Sequence, residues 1–69
     1  MKAIRVFTNK EERYKIPNLV EKLNNHEDIA AMVVNPDELV VATTGECAMV
    51  YVAAVIAHRF DNCKTETIK

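Results

Sequence analysis

The chain has 69 residues and a formal net charge of −1. This length predicts one domain over residues 1–69, near the size at which a single hydrophobic core supplies only about 3–5 kcal/mol of net stability. The near-neutral charge provides no general attraction to nucleic acid or to anionic membranes, so we expect neither as a partner.

The chain contains two cysteines, Cys47 and Cys63, and the residues after Lys2 and Arg5 do not form the apolar segment of a signal peptide. We therefore expect a cytoplasmic protein. In a reducing compartment both cysteines are expected as free thiols rather than as a disulfide.

The first predicted element is a strand over residues 3–8, AIRVFT, which is rich in β-branched and aromatic residues. Because successive side chains of a strand point to opposite faces, Ile4 and Val6 share one face and Arg5 and Phe7 share the other.

Residues 9–16 do not continue into the helix that follows, because Pro17 would interrupt its hydrogen bonding. Asn9 and Glu12 have the spacing of a capping box, yet we expect a loop or a single turn here. Pro17 suits the first position of a helix that ends near residues 24–25. The apolar stripe of this helix is formed by Ile16, Leu19, Val20 and Leu23.

Two apolar segments, residues 29–34 and 39–44, flank the sequence NPDE at 35–38. Proline followed by aspartate suits a tight turn, so the two segments are predicted to form a β-hairpin. Neither segment alternates between apolar and polar residues, as a strand with one wet face would. We therefore expect both faces of the sheet to be covered.

The main predicted helix spans residues 43–62, TTGECAMVYVAAVIAHRFDN. Thr43 and Glu46 have the spacing of a capping box at its start. Asn62 tolerates the left-handed conformation that ends many helices, and His58 and Arg59 place positive charge near the negative end of the helix dipole.

Between these ends, residues 47–57 include no charged side chain. A helix that is apolar on all sides must be covered on more than one side, and this segment is far shorter than the roughly 20 residues that cross a bilayer. We therefore expect other protein to cover it, either a partner chain or a second copy, and we predict a homo-oligomer.

A polar edge strand over residues 64–69, KTETIK, completes the order β-α-β-β-α-β. This is the ferredoxin-like pattern of the α+β class, a small two-layer sandwich with both helices on one face of a four-stranded antiparallel sheet. Without the tail strand the order becomes β-α-β-β-α, and with residues 13–16 extended it becomes an α+β meander.

The ferredoxin-like pattern leaves the second face of the sheet open, and this face carries Arg5, Phe7 and alternate residues of the apolar hairpin. We predict that Arg5 and Phe7 bind a protein partner. Val50 and Tyr51, on the main helix, are predicted to take part in the same association.

No residue pattern indicates catalysis or a cofactor. Cys47 lies in the first turn of the main helix, where the dipole favours a thiolate, but Glu46 is adjacent and no base has a suitable spacing. The possible zinc ligands have no paired spacing, and Gly45 has no companion lysine of a phosphate-binding loop. These possible ligands are His26, Cys47, His58 and Cys63. We therefore expect no enzyme activity, no metal and no cofactor.

The segment VVNPDELVVATTGECAMVYVAAVIAHRFDNCKTETIK, residues 33–69, resembles the carboxy-terminal half of small phage antitoxins of the Dmd type. In those proteins a strand ending in Ala-Thr-Thr leads into an amphipathic helix, a polar turn and a short last strand; here the tripeptide is residues 42–44. The opening MKAIRVF is similar in pattern to their first strand. The resemblance implies a phage-encoded protein that silences a host toxin by occupying its surface.

Two functions follow from these patterns. The first is a non-catalytic interaction module of the inhibitor or antitoxin kind. It would bury an apolar and partly charged face of its own against a larger protein. The alternative is a ferredoxin-like ligand-binding or regulatory domain whose site lies at a dimer interface, and this alternative rests on fold analogy.

Overall fold

A computed structural model describes residues 2–68. Its elements are β1 (Lys2–Thr8), a short 3-10 turn (Arg13–Lys15), α1 (Ile16–Asn24), β2 (Ile29–Asn35), β3 (Glu38–Thr43), α2 (Glu46–Arg59) and β4 (Cys63–Ile68). The predicted tail strand is present as β4, and its last predicted residue, Lys69, lies outside the described residues.

The four strands form one sheet in the order β2-β3-β1-β4, and each neighbouring pair is antiparallel. The predicted α+β class, with one antiparallel sheet and two helices, is confirmed. Between β1 and α1 the chain forms turns, as expected, but the 3-10 turn Arg13–Lys15 continues directly into α1. The predicted break before Pro17 is therefore wrong: α1 begins at Ile16, and Pro17 lies in its first turn, where the missing N–H costs no intrahelical hydrogen bond.

Both helices pack on one face of the sheet. From α1 the buried residues are Ile16, Leu19 and Leu23, which are three of the four residues of the predicted stripe. From α2 they are Val52 and Ile56. These side chains form one cluster with the buried strand residues Val6, Ile29, Leu39 and Val41 and with Phe60, which follows α2. The small domain therefore has a single core between its two layers.

The other face of the sheet is uncovered within residues 2–68, so the expectation that both faces are covered is wrong for the single chain. On β3 the side chains alternate between buried and half-buried. On β2, Met32 is 62% exposed although it is apolar. The hairpin sequence lacks alternation because both of its faces carry apolar side chains, one towards the helices and one towards solvent. Within residues 2–68 no helix packs on the solvent side.

The predicted ends of the main helix are also corrected. Its first residue is Glu46, the N-cap is Gly45, and no side chain caps it. Thr43 is instead buried as the last residue of β3, where it pairs with Lys2 and Ile29, so the sheet places it outside the helix. The carboxylate of Glu46 accepts a hydrogen bond from Lys2 Nζ at 3.0 Å rather than closing a capping box.

The helix ends before Asn62 for a packing reason. Phe60 is extended and buried, so the chain must leave the helix there to bring the aromatic ring into the core. No residue among 2–68 has a positive φ, and Asn62 therefore does not provide the predicted left-handed ending.

The two edges of the sheet are protected differently. On β4 the charged residues Lys64 and Glu66 discourage pairing with another strand. On β2, which has no charged residue, the side chain of Asn24 performs this role. Its Nδ2 donates to the Ala31 carbonyl at 3.1 Å, and its Oδ1 accepts from the Ala31 amide at 2.7 Å. The amide side chain thus occupies the backbone groups that an added strand would use.

We expect Asn24→Ala to promote self-association along β2. The substitution exposes the N–H and C=O of Ala31 on an uncharged edge, and it removes two hydrogen bonds worth about 1 kcal/mol each. Light scattering and thioflavin fluorescence at increasing protein concentration would measure the effect. Asn25→Ala is the matched control, because Asn25 is an exposed neighbour in the same sequence context. Equal behaviour of the two variants would show that Asn24 does not protect the edge.

Candidate protein-binding surfaces

The side of the sheet that faces away from the helices, here called the open sheet face, is built from three rows of paired residues. The strand register forms one row from Ala30, Ala42, Ala3 and Ile68. The next row is Met32, Val40, Arg5 and Glu66. The third includes Glu38, Phe7 and Lys64. Apolar side chains therefore fill the first row and the β2 side of the second, Arg5 and Glu38 lie on the central strands, and Lys64 and Glu66 lie at the β4 edge.

The charge of Arg5 is balanced within the open sheet face. Its Nε lies 3.0 Å from Glu38 Oε2, and the Glu38 side chain is only 16% exposed. Asn35 Nδ2 donates a hydrogen bond to the other oxygen of this carboxylate, Glu38 Oε1, at 3.0 Å. Arg5 and Glu38 thus form a fixed ion pair beside Phe7, and the face presents an arginine and an aromatic ring among apolar groups, a composition typical of interface centres.

A second apolar surface, the α2 outer face, points away from the sheet. Its members are the exposed residues Cys47, Val50, Ala53, Ala54 and Ala57. Val50 is 69% exposed, whereas Val52, on the opposite side of the helix, is fully buried. The sheet therefore covers only one side of a helix that is apolar on every side.

Tyr51 lies on neither of these two surfaces but on the side of α2 near α1. It is half-buried, and its ring centroid is 4.6 Å from that of His26, with the planes inclined by 54°. Open clefts of about 480 and 670 Å³ border it at either end. Cys47 and Asp28 line the smaller cleft, and Lys22 and His58 the larger.

The four predicted partner-binding residues are therefore divided between two layers. Arg5 and Phe7 share the open sheet face, whereas Val50 and Tyr51 belong to the helix layer. A single flat partner cannot contact both groups. Met32 and Val40 complete the open sheet face, and the unbroken apolar sequence of the hairpin was the signal for them. Which of its alternate residues face outward depends on the strand register.

Glu12 forms a polar cluster that the sequence patterns do not indicate. Its backbone amide donates to Asn9 Oδ1 at 2.9 Å, which is half of the capping box that the spacing suggests. Its carboxylate, however, accepts from the backbone amides of Asp61 at 2.9 Å and Asn62 at 3.0 Å. The side chain, in a residue only 7% exposed, thus joins the turn after β1 to the connection between α2 and β4.

Lys15 completes this cluster. Its Nζ donates to Glu12 Oε2 at 2.9 Å and to the carbonyl of Arg59, at the end of α2, at 2.7 Å. The hydrogen bond from Lys15, followed by those from the two backbone amides, lowers the pKa of Glu12 to about 2. A carboxyl group with that pKa stays ionised near neutral pH and is a poor general acid or base there, so the cluster has a structural role.

Both cysteines are free thiols. Cys47 is exposed, whereas Cys63 is half-buried, and this burial raises the pKa of its thiol. Cys63 lines an open cleft of about 340 Å³ with Phe7 and Lys64, at the border of the open sheet face. Within residues 2–68, no group of three or more histidine, cysteine or acidic side chains is arranged to hold a metal ion.

Known proteins provide no further guide to these surfaces. Comparison of the chain with protein-family models, curated proteins and solved structures finds no match in any of the three. In the part of the chain that the structure describes, no helix has the length and apolar character needed to span a membrane. The geometry of the two apolar surfaces is therefore the basis for assigning a function.

Proposed function

We propose that this chain is a non-catalytic protein-interaction module with a ferredoxin-like fold, and that it binds a larger protein through the open sheet face. The observation that carries the proposal is the central row of that face, in which Met32 remains 62% exposed beside Val40 and Arg5. A partner that covers this row would remove apolar surface from water at about 25 cal/mol per Å².

The size of the open sheet face suits such a role. Four strands about 4.8 Å apart, each with about 6 residues at roughly 3.3 Å, present roughly 400 Å² in projection. The apolar residues occupy only part of this area, because the face also includes Arg5, Glu38, Lys64 and Glu66. Exposed apolar patches of a few hundred Å² on monomeric proteins are often functional. The charged residues Lys64 and Glu66 lie along one edge, where they supply a polar rim.

The biological form we propose is an inhibitor or antitoxin of the phage type, which acts by occupying the surface of a host protein. The resemblance to Dmd-type antitoxins supports this form. The two free thiols support a reducing, cytoplasmic environment. No catalytic group is needed for this mode of action, because burial of the partner's functional surface is sufficient.

The second candidate function is a small-ligand-binding regulatory domain, and one observation favours it. The cleft of about 670 Å³ between the two helices is lined by Lys22, His58 and Arg59 together with Tyr51, Ala54 and Val55. Three basic groups around an apolar floor suit an anionic ligand with a hydrophobic body. This cleft lies beside the α2 outer face, so a ligand there would be held next to any subunit that covers the helix.

We expect Met32→Lys to abolish binding of the protein partner without unfolding the chain, because the Met32 side chain is exposed and a lysine in the central row places an unpaired charge in the interface. Affinity capture from cells, read by quantitative mass spectrometry, would measure one stoichiometric partner with wild-type protein and at least about tenfold less with the variant.

Val50→Lys is the matched control, since it introduces the same charge at an exposed apolar position on the opposite layer. It should capture the partner as wild type does. Capture that is unchanged by Met32→Lys would contradict the role of the open sheet face. Absence of any stoichiometric protein, together with thermal stabilisation by a small anion that Lys22→Ala removes, would favour the ligand-binding candidate.

A further inference from the structure

The outer edge of β4 is accessible to another strand. Residues 64–67 are all exposed, so within residues 2–68 no helix or loop overhangs this edge. The opposite edge of the sheet is partly closed, because the side chain of Asn24 binds the outward backbone groups of Ala31 on β2. An open strand edge presents unpaired N–H and C=O groups that another strand can use. The sheet can therefore be extended at β4.

The hydrogen-bond pattern of the sheet determines which backbone groups of β4 point outward. The amide of Thr8 donates to the carbonyl of Asp37 at 2.8 Å, and these two residues continue the register of β1 with β3. Because the backbone groups of a strand alternate in direction, the odd-numbered residues of β1 bond to β4 instead. Their partners are the even-numbered residues of β4, so the outward N–H and C=O groups belong to its odd-numbered residues. These are Cys63, Thr65 and Thr67.

The charges of β4 are self-complementary about Thr65. Lys64 and Glu66 flank it with opposite signs, both are exposed, and neither forms a salt bridge within residues 2–68. In an antiparallel pair of β4 strands, outward residues must face outward residues, so only every second register is allowed. The register that places Thr65 opposite its own copy also places each Lys64 opposite a Glu66. The next allowed register on either side places two Lys64 or two Glu66 side chains opposite each other, which is unfavourable.

We infer that a second copy of this chain adds to the β4 edge, with the two β4 strands antiparallel about a two-fold axis at Thr65. The charges that discourage pairing with an unrelated strand then form ion pairs between Lys64 of one copy and Glu66 of the other. The edge is self-complementary, as a two-fold interface requires. The two sheets join into one continuous sheet, and both open sheet faces lie on the same side of it.

The contact is narrow, and this limits its strength. The pairing covers residues 63–67, which is about 17 Å of strand, and it buries less than the roughly 800 Å² per partner of a standard stable interface. We therefore expect a reversible dimer rather than a permanent one. The dimer and the proposed function are independent, because the dimer uses the backbone edge of β4 and partner binding uses the apolar row around Met32.

Sedimentation equilibrium over a wide concentration range tests the dimer directly. Wild-type protein should shift from monomer to dimer. Lys64→Glu and Glu66→Lys should each weaken their own homodimer at least about tenfold, because like charges then face each other. An equimolar mixture of these two variants should recover the wild-type affinity, since every facing pair in the mixed dimer again has opposite signs. A wild-type chain that remains monomeric at about 1 mM would overturn the inference, as would a mixture that associates no more tightly than the single variants.

Met32→Lys is the control that separates the dimer from partner binding. Met32 lies on β2, at the far edge of the sheet from β4. The variant should therefore dimerise as wild type does while losing the protein partner. Lys64→Glu that captures the partner but no longer dimerises would support the same separation from the other side.

Disulfide trapping tests the register without changing the charges, so it remains informative if a charge variant fails to fold. In the proposed dimer the two copies of residue 65 face each other with their Cα atoms about 5.5 Å apart, within reach of a disulfide. The two copies of residue 67 are about 14 Å apart along the strand, which is too far. In a chain lacking both native cysteines, Thr65→Cys should cross-link on oxidation and Thr67→Cys should not. Cross-linking at position 67 that equals or exceeds that at position 65 would overturn the proposed register.

Discussion

Val52→Asp is expected to unfold the chain, whereas Val50→Asp, two residues away on the same helix, is expected to leave it folded. Val52 is fully buried in the core, and Val50 is 69% exposed. An aspartate at position 52 removes apolar contacts and places an unpaired carboxylate in the core, at a cost of more than about 4 kcal/mol. A domain of this size has about 3–5 kcal/mol of net stability, so this loss is comparable to the whole of it.

Circular dichroism and urea titration of the two variants would measure this contrast. Val50→Asp should retain a cooperative transition. If Val50→Asp unfolded as completely as Val52→Asp, α2 would need cover on its outer side even to fold, and the chain would be an obligate oligomer. A cooperative, nearly wild-type transition for Val52→Asp would contradict the position of that residue in the core.

Glu12→Gln is expected to reduce the stability of the fold at neutral pH. It should also make that stability change less as the pH falls into the acidic range. The glutamine removes the charge that Lys15 and the amides of Asp61 and Asn62 bind, and a single carbonyl oxygen must replace two carboxylate oxygens. We expect the melting temperature at pH 7 to fall by roughly 10 °C. Glu11→Gln is the matched control, because Glu11 is the adjacent acidic residue and is exposed.

The direction of the pH effect follows from the lowered pKa of Glu12. The folded chain holds this pKa at about 2, below its ordinary value of 4.5. Folding therefore favours the ionised form, so its contribution to stability is complete above pH 4.5 and is lost as the pH falls towards 2. Thermal melts between pH 5 and pH 2 should show the gap between wild type and Glu12→Gln narrowing, whereas a gap that stayed constant would mean that the charge of Glu12 is not what stabilises the fold.

Local patterns in the sequence were sufficient for the elements whose partners are close or whose periodicity is strict. The stripe of α1 predicted the buried residues Ile16, Leu19 and Leu23, because helical spacing alone determines which side chains share a face. The alternation of β1 likewise predicted that Arg5 and Phe7 lie opposite the core. For the candidate site, this placed half of the predicted residues on the open sheet face.

Long-range contacts explain what the patterns missed. Thr43 was predicted to cap α2, but β-sheet pairing with Ile29 and Lys2 extends β3 to include it. The carboxylate of Glu12 binds amides that lie 49 and 50 residues further along the chain, and no local spacing indicates such partners. Met32 is outward-facing because of its pairing with Val40, and that register is a property of the assembled sheet.

The position of β1 between β3 and β4 has a consequence for how the protein is made. Ala3 pairs with Ile68 on one side and with Ala42 on the other, so the first strand acquires its second neighbour only after residues 63–68 have been synthesised. On the ribosome, the edge of β1 that pairs with β4 therefore stays without its partner strand until those residues leave the exit tunnel. Such sequence-distant pairing slows folding, and it makes the nascent chain a natural client for chaperones that bind short hydrophobic segments.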